Sequence, residues 1–598
     1  MNRFNLQVFK RFWAIAKPYW VGNEKKGALS LLGLLFLLLL IYTPLSLLIT
    51  RLQGNIISDL TRLDKEAFVK TIRLFLGVLI VYVPLYASFN YVENKLGNYW
   101  RKWLTHDFLN RYFSHRAFYE LGNLNTEVDN PDQRISEDIK SFTVDSLSFL
   151  LVIVNSVFQM IGFTALLWVI PPRVLIFTLP QPISFSIFNL QVNITKLEPS
   201  ILIIFLFVYA IIGTVITVVV FGNKLVGINY EQLRKEANFR FGLVRIRENS
   251  ESIAFYRGER QESRNLKSIF QEVFANFNLL ILWQDLLLPL FTNTYENIPY
   301  ILPAVVVAPS VFSGDVEVGK VREAQIAFAQ FFFAINVIVS RFQFLTAFVA
   351  GIDRLYFLRE YLDRSESKQK TKIAANPIIE TKINPDRLGL ENLTLQTPNY
   401  QRTLVKNLTV KLGNGQGLLI MGASGCGKSS LLRAIAGLWN SGTGIIYRPP
   451  LGEMLFLPQK PYMILGTLRS QLIYPHAELQ ISDYALEQVL NQVNLPDLAE
   501  RFGGFDVEKD WADVLSLGEQ QRLAFARILI NKPRYAILDE ATSALDVNNE
   551  SSLYNHLKQT QTTFISVGHR PTLVKYHQIV LEMLEGAEWK LRDPSTMF

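Results

Sequence analysis

The sequence predicts a multidomain fold spread over two solvents: an all-α domain of six membrane-spanning helices, followed by a soluble α/β domain built on a phosphate-binding loop. Three observations predict it. Apolar runs long enough to cross a bilayer crowd the first 350 residues and are missing from the last 210. Hydrophobic residues reach 49% and charged residues only 19%, with a positive mean hydropathy of +0.18, which is too apolar for an ordinary soluble chain of 598 residues. A glycine-rich run stands between a strand-like and a helix-like segment at residues 417–436. Such a length also exceeds what one hydrophobic core can organise.

The net charge of +8 does not imply a nucleic-acid partner. Membrane proteins collect Lys and Arg in their cytoplasmic loops, and no run here interleaves aromatic and basic residues as RNA-binding segments do. One cysteine, Cys426, excludes an intrachain disulfide and a cysteine metal cluster.

Residues 1–27 read as an N-terminal amphipathic helix lying in the membrane interface. Phe9, Phe12, Trp13, Ile15 and Trp20 are set among Lys10, Arg11 and Lys17 between Phe4 and Trp20. The first span starts near Ala28; it lacks a small-residue cleavage site and is too long for a signal peptide.

A hydrocarbon core about 30 Å thick takes roughly 20 apolar residues as helix. Segments near 28–50, 72–91, 146–170, 200–222, 278–309 and 325–350 qualify, within a membrane domain of residues 28–362. Asp285, Asn293, Glu296 and Pro299 interrupt the fifth, so that helix is expected to face protein or a wet cavity rather than lipid. Asp285 and Arg341 fall at similar depth and are candidates to pair or to line a polar pathway; burial at the cytoplasmic edge without a substrate role is the equal alternative.

Two long connections are strongly basic. The first carries Lys95, Arg101, Lys102, Arg111, Arg116, Arg134 and Lys140, and the second runs from Lys224 through Arg245, Arg247, Arg257, Arg260 and Lys267. The other two hold only Arg173 and Lys196, and Lys320 and Arg322. The positive-inside bias therefore places the N-terminus, the long loops and the C-terminal half in the cytoplasm. Both loops exceed 50 residues and read as cytoplasmic continuations of the membrane helices. A polar stretch with little periodicity marks a linker over 363–387, and the C-terminal domain occupies 388–598.

That domain opens its chemistry with the strand Gly417-Leu418-Leu419-Ile420-Met421. It leads into Gly422-Ala423-Ser424-Gly425-Cys426-Gly427-Lys428-Ser429 and a helix beginning at Ser430. The pattern G-x-x-x-x-G-K-[ST] between strand and helix is a phosphate loop. Its glycines let backbone N–H groups surround phosphate oxygens at a helix N-terminus. Lys428 would reach the β- and γ-phosphates of ATP, and the hydroxyl of Ser429 would bind Mg²⁺. A second strand, Arg534 to Leu538, ends in Asp539 and Glu540. Asp539 fits a magnesium ligand and Glu540 the base that polarises the attacking water. An acidic pair after a strand is by itself more often a cap or a solvated turn; its place after the phosphate loop reverses that.

Between the two lies Leu515-Ser516-Leu517-Gly518-Glu519-Gln520-Gln521-Arg522. Here the chain resembles the ATP-binding cassette (ABC) transporter superfamily, whose signature is LSGGQ; Leu517 and Glu519 depart from it. The resemblance implies a type I exporter-like membrane domain. It also implies that Ser516, Gly518 and Glu519 contact ATP held by the other cassette of a dimer. Gln459, in Leu-Pro-Gln-Lys-Pro-Tyr, is similar to the Q-loop glutamine that senses magnesium. Asp546, in Ser-Ala-Leu-Asp, is similar to the D-loop aspartate, and His569, in Ser-Val-Gly-His-Arg, to the histidine that holds the γ-phosphate. The aromatic that stacks on adenine is missing: Thr397-Pro398 stands at its place, with Tyr400 as the substitute.

Two stretches resemble subfamily D, the peroxisomal fatty-acyl half-transporters, and bacterial relatives linked to cobalamin or antimicrobial-peptide uptake. They are Glu248 to Glu259 in the second long loop and Asn130-Pro131-Asp132-Gln133-Arg134 in the first. Cassette runs Gly437-Leu438-Trp439 and Ile473-Tyr474-Pro475 fit the same group. The resemblance implies an ATPase using ATP and Mg²⁺, a second copy of the chain as partner, and contact with membrane lipid and a transported solute. Loops near 130–135 and 248–262 would carry cassette motion to the helices. A lipid-like cargo such as an acyl chain or acyl-CoA is the first expectation. A hydrophilic cargo such as cobalamin or peptide is the second, and an ATP-gated channel or membrane-bound regulator the third. The expected location is a bacterial inner membrane.

Overall fold

A computed structural model describes residues 6–123, 128, 130–169, 177–187, 190–197, 199–297, 301, 312–313, 317–370 and 378–596. It divides into two compact units, Met1–Thr371 and Lys372–Phe598. Phe4, Arg173, Pro299 and the stretch 371–377 lie outside the described residues.

In the first unit, four helices are long and apolar enough to cross a membrane: Lys25–Thr61, Lys65–Gly122, Pro131–Leu166 and Glu259–Asn297. A fifth span is counted if Val208–Gly222 and Lys224–Glu248, bent by 42°, are taken together. The helix Lys65–Phe113 starts cleanly because the Asp64 carboxylate accepts the Ala67 N–H at 2.9 Å. Its 49 residues amount to about 74 Å of helix, more than twice the hydrocarbon thickness. Helix therefore extends well beyond any bilayer, through the first basic loop.

The expected sixth span is not one helix. It is broken into Val318–Ile335, Val337–Ser340 and Phe342–Lys370. The breaks fall at Asn336 (ψ 15°) and Arg341 (φ −107°, ψ 15°), whose backbones leave the helical region. Asp285 is exposed in a widened π-helical turn, Leu282–Leu287, and makes no ion pair with Arg341. Nor is the connection after the third span plain loop: Phe177–Ile187 and Leu190–Leu197 pair as an antiparallel hairpin. The alternation Ile183, Phe185, Ile187 is the strand signal that the search for spans overlooked.

The N-terminal helix, Leu6–Val21, is only partly interfacial. Ile15, Ala16 and Tyr19 are buried, the Tyr19 ring stacks on Trp100 at 5.7 Å, and Arg11 pairs with Asp353 at 2.6 Å. Phe9 and Trp13 keep 66% and 44% of their surface exposed, and they alone of the expected apolar face remain strongly exposed. The linker expected over 363–387 also shrinks. Its first residues are the last turns of Phe342–Lys370, and Glu380–Ile383 is already a strand. Arg359 and Asp363 on that helix pair at 3.5 Å, so polar sequence there is a solvated helix face rather than coil.

Asn130 to Arg134 joins this same helix by a buried polar cluster. Arg354, 2% exposed, reaches Asp138 at 3.0 Å and the Gln133 side chain at 3.2 Å, while Arg134 donates to the Arg354 carbonyl at 2.6 Å. A buried charge survives only when paired in this way.

The second unit is organised on a six-stranded sheet in the order 589–592, 579–583, 417–422, 563–567, 535–539, 454–457. The four pairings from 579–583 to 454–457 are parallel, and only 589–592 runs antiparallel. Leu418 to Ile420, Ala536 to Leu538 and Phe564 to Val567 are buried on both faces, which is why they read as continuous apolar runs. A four-stranded sheet, in the order 380–383, 442–448, 388–396, 403–412, packs on the same core.

His577 lies inside this unit between the rings of Phe564 and Tyr554. Its Nδ1 must donate, since its partner at 2.8 Å is the Leu573 carbonyl; Nε2 then accepts from Ser566 Oγ at 2.9 Å, which accepts from Tyr554. Burial holds the imidazole neutral, with its pKa lowered from 6.5 to about 4. Between those pH values the unfolded chain binds a proton that the folded chain refuses, so cassette stability is expected to fall as pH drops from 6.5 towards 4, by roughly 3 kcal/mol in all. Calorimetry of the full chain should show the lower-pH loss shrink in His577→Asn. An unchanged pH slope in that variant would contradict the assignment.

Candidate functional site

In a parallel sheet the ends of adjacent strands bring distant residues into one row. Asp539 is registered with Val567, and Val567 with Ile420. The segments following these strands, 422–429, 540 and 568–569, therefore emerge side by side at the carboxyl edge, where open α/β sheets hold ligands.

The loop Gly422–Ser429 turns back towards the helix Lys428–Ile435 through Gly427, at φ +104°. Gly422, at φ +146°, is required by space as well as by angle, for a Cβ there would meet the Met583 carbonyl at 2.4 Å. Lys428 is buried, and its Nζ donates to the carbonyls of Gly422 and Ala423 at 3.0 and 2.9 Å. Its ammonium is thus held across the mouth of its own loop. Ser429 Oγ donates to Asp539 Oδ1 at 3.0 Å. Burial pushes the Asp539 carboxyl above its ordinary pKa; the Ser429 hydroxyl opposes this and the neighbouring Glu540 adds to it. A hydroxyl and a crowded carboxylate meeting at the phosphate loop suit a divalent cation, whose charge would relieve both carboxylates.

Glu540 sits at φ +48°, a left-handed backbone rare for a side chain of this type. Its N–H is held by the Val567 carbonyl at 3.1 Å. The conformation turns the carboxylate off the strand axis. Oε2 accepts from Gln459 Nε2 at 2.8 Å and Oε1 lies 3.1 Å from His569 Nε2. Three residues singled out separately in the sequence, Gln459, Glu540 and His569, thus form one polar group beside Asp539.

The other predicted contacts are arranged differently. Ser516 caps the helix Leu517–Asn531, and Glu519 completes a capping box by accepting from the Ser516 N–H at 2.9 Å. Burial tends to raise the Glu519 pKa, but Arg501 at 2.7 Å and the two Ser516 donors outweigh it and hold the carboxylate below its usual range. Gly518 lies close to the Ala544 carbonyl. Asp546 caps the helix Val547–Gln559 by accepting from the Asn549 N–H at 2.9 Å. Among the described residues no hydrogen bond joins Ser516, Gly518, Glu519 or Asp546 to Lys428, Asp539 or Glu540.

A cavity of about 460 Å³ adjoins Ala423 to Cys426 and is lined by Arg402, Leu404, Leu584 and Gly586 among others. No aromatic ring lines it. Tyr400 is not among the residues lining it; it lies in a tight turn, at φ +58°, with its N–H on the Thr397 carbonyl.

Two functional candidates escaped the sequence reading. Gln521 is 0% exposed; its Nε2 donates to the Gln459 carbonyl at 2.9 Å and to Ser543 Oγ at 3.1 Å, and its Oε1 accepts from the Ala544 N–H at 2.9 Å. Arg570 donates to the carbonyls of Leu545 and Ser543 at 2.7 and 3.1 Å. Both tie the loop 543–546 in place. Neither carried a signal in the sequence, since the burial of Gln521 is visible only in the fold.

With this geometry in hand, comparison with known proteins is direct. Residues 15–312 match the family model of ABC transporter transmembrane region 2, and residues 405–543 that of the ABC transporter. An uncharacterized ABC transporter ATP-binding protein of Synechocystis is 46% identical over 94% of this chain and 81% of its own length. The lysosomal cobalamin transporter ABCD4 of Homo sapiens is 33% identical over 98% of this chain and 97% of its own. A bacterial Atm1-family ABC exporter solved with ATP bound shares the fold, with a TM-score of 0.69 over 95% of each chain at 17% identity.

Proposed function

Starting from the fact that this chain belongs to the ABC transporter family, as a half-transporter with homologues in subfamily D, we propose that two copies pair and that magnesium-assisted ATP hydrolysis between them drives a solute across a bilayer. The cassette is an ATPase coupled to transport, in a membrane-spanning protein that binds ATP.

The observation that carries the reading is the convergence of Gln459, Glu540 and His569 beside Ser429 and Asp539 at one sheet edge. Backbone N–H groups of Gly422 to Ser430 cradle the phosphates, and Lys428 exchanges its loop carbonyls for phosphate oxygens. Ser429, Asp539 and Gln459 hold the magnesium, which supplies charge neutralisation on the phosphates. Glu540 accepts the proton of the attacking water, while His569 donates to the γ-phosphate. Ser516, Gly518, Glu519 and Asp546 serve the ATP of the opposite copy, which agrees with their separation from the Lys428 cluster within one chain. Closure of the cassettes then moves the membrane helices through the loops near 130–135 and 248–262.

The positive-inside bias supports a cytoplasmic N-terminus and cassette, and the Synechocystis relative supports a bacterial inner membrane. For the cargo, a lipid-like solute remains one reading. A hydrophilic solute is the second, supported by the human relative named a cobalamin transporter.

Reconstituted protein is expected to hydrolyse ATP only as a dimer and to accumulate cargo uphill. Full-rate hydrolysis by a strict monomer would sink the paired reading, and ATP-dependent downhill flux without accumulation would replace it by a gated channel.

A further inference from the structure

The outer end of the fifth span has two faces of opposite character. Leu288, Phe291 and Tyr295 recur at helical spacing and anchor it. The Tyr295 ring stacks on Tyr209 at 4.6 Å and on Phe291 at 5.7 Å and lies 5.5 Å from Phe332. Tyr209 and Tyr295 donate their hydroxyls to one another's carbonyls, at 3.0 and 3.2 Å. On the opposite side Asn293, Thr294 and Asn297 are exposed, continuing a stripe that nearer the start of the span is Leu286 and Leu290. Glu296 lies between the faces, half-buried.

Against Glu296 stands the break in the sixth span. Asn336 is 0% exposed, and its Nδ2 donates to Glu296 Oε1 at 3.2 Å, while its Oδ1 has no hydrogen-bond partner among the described residues. A buried amide oxygen without a donor costs about 1–3 kcal/mol. A carboxylate and three exposed polar side chains within a helix apolar and long enough to span a bilayer are costlier still unless water or a solute meets them. The local chemistry is one-sided: the carboxylate and the free amide oxygen both accept, and no cationic side chain pairs with Glu296 among the described residues.

We propose that Asn293, Thr294, Glu296, Asn297 and Asn336 form a polar station in the translocation pathway. It takes solutes that present cationic, amide or hydroxyl donors and repels anionic ones. The inference rests on the transporter reading and narrows its cargo: an amide-rich hydrophilic solute fits the station, whereas an acyl chain with an anionic head meets a carboxylate and no counter-charge. Tyr209 and Tyr295 hold the carboxylate-bearing turn in place and are positioning residues.

The test needs no knowledge of the natural solute. Asn293→Cys is introduced into the otherwise intact chain, reconstituted in vesicles, and treated with methanethiosulfonates carrying either a quaternary ammonium or a sulfonate. Labelling is read by peptide mass spectrometry, which separates it from Cys426, and rates are divided by those with a free thiol. We expect labelling from water, with the cationic reagent favoured at least fivefold, and the preference to drop below twofold when Glu296→Gln is added. Failure of both reagents to label would place this face in lipid or protein. Equal normalised rates, or a preference that survives Glu296→Gln, would equally overturn the proposal. Circular dichroism and monodisperse elution of Glu296→Gln report folding, and Glu540→Gln tests the transporter reading by itself.

Discussion

Glu540→Gln is expected to lower ATP turnover by about 10²–10⁴-fold, the usual contribution of a positioned general base, while nucleotide binding stays within a few-fold of the parent. Glutamine keeps the length and planarity of glutamate, and its carbonyl oxygen still accepts from Gln459 or His569, so the polar group at the sheet edge is preserved. What it loses is the lone pair that takes a proton. Hydrolysis stalls with ATP bound, and the closed dimer should persist in ATP and magnesium, as mass measured by light scattering would reveal. A purified variant retaining near-parent ATPase would remove Glu540 from the role of base and leave its left-handed backbone without an explanation.

Lys428→Ala acts at the preceding step and should weaken ATP binding about a hundredfold. Charge-assisted hydrogen bonds contribute about 1.5–3 kcal/mol each, and the lysine offers two of them where Gly422 and Ala423 now receive them. The loop itself should survive, because Gly422 and Gly427 set its path through backbone angle and space rather than through the lysine. Titration with a fluorescent ATP analogue separates the outcomes: affinity close to that of the parent would contradict the phosphate-loop reading. A fall in turnover without a fall in affinity would mean that Lys428 acts only on the transition state.

The parts of this molecule that could be read from sequence are those whose physics is local. Gly422 to Ser429, between a buried strand and a helix, carries its meaning within one turn of chain, and so does the capping box of Ser516 and Glu519. Long apolar runs announce helices whatever surrounds them. The misreadings share a different cause. Asn336, at the break between two helices, bonds to Glu296, and Tyr19 is buried against Trp100. Arg354 is buried because Asp138 and Gln133, more than 200 residues earlier, neutralise it. Gln521 looked like one polar residue among several in a helix until two separate loops were seen to depend on it. Composition and periodicity carry no record of such pairings. The polar start of 363–387 misled for a simpler reason: a helix end rich in polar residues looks like coil when its limit is sought by polarity alone.

That single amide has a mechanical corollary. Gln459 touches Glu540, and on the paired reading proposed above the stretch from Ser543 to Asp546 would face the neighbouring copy. Because one buried amide bonds both, a displacement on either side would be passed on to the other. If two copies pair as proposed, that fork would couple the reacting end of one nucleotide site to the contact with the neighbouring copy.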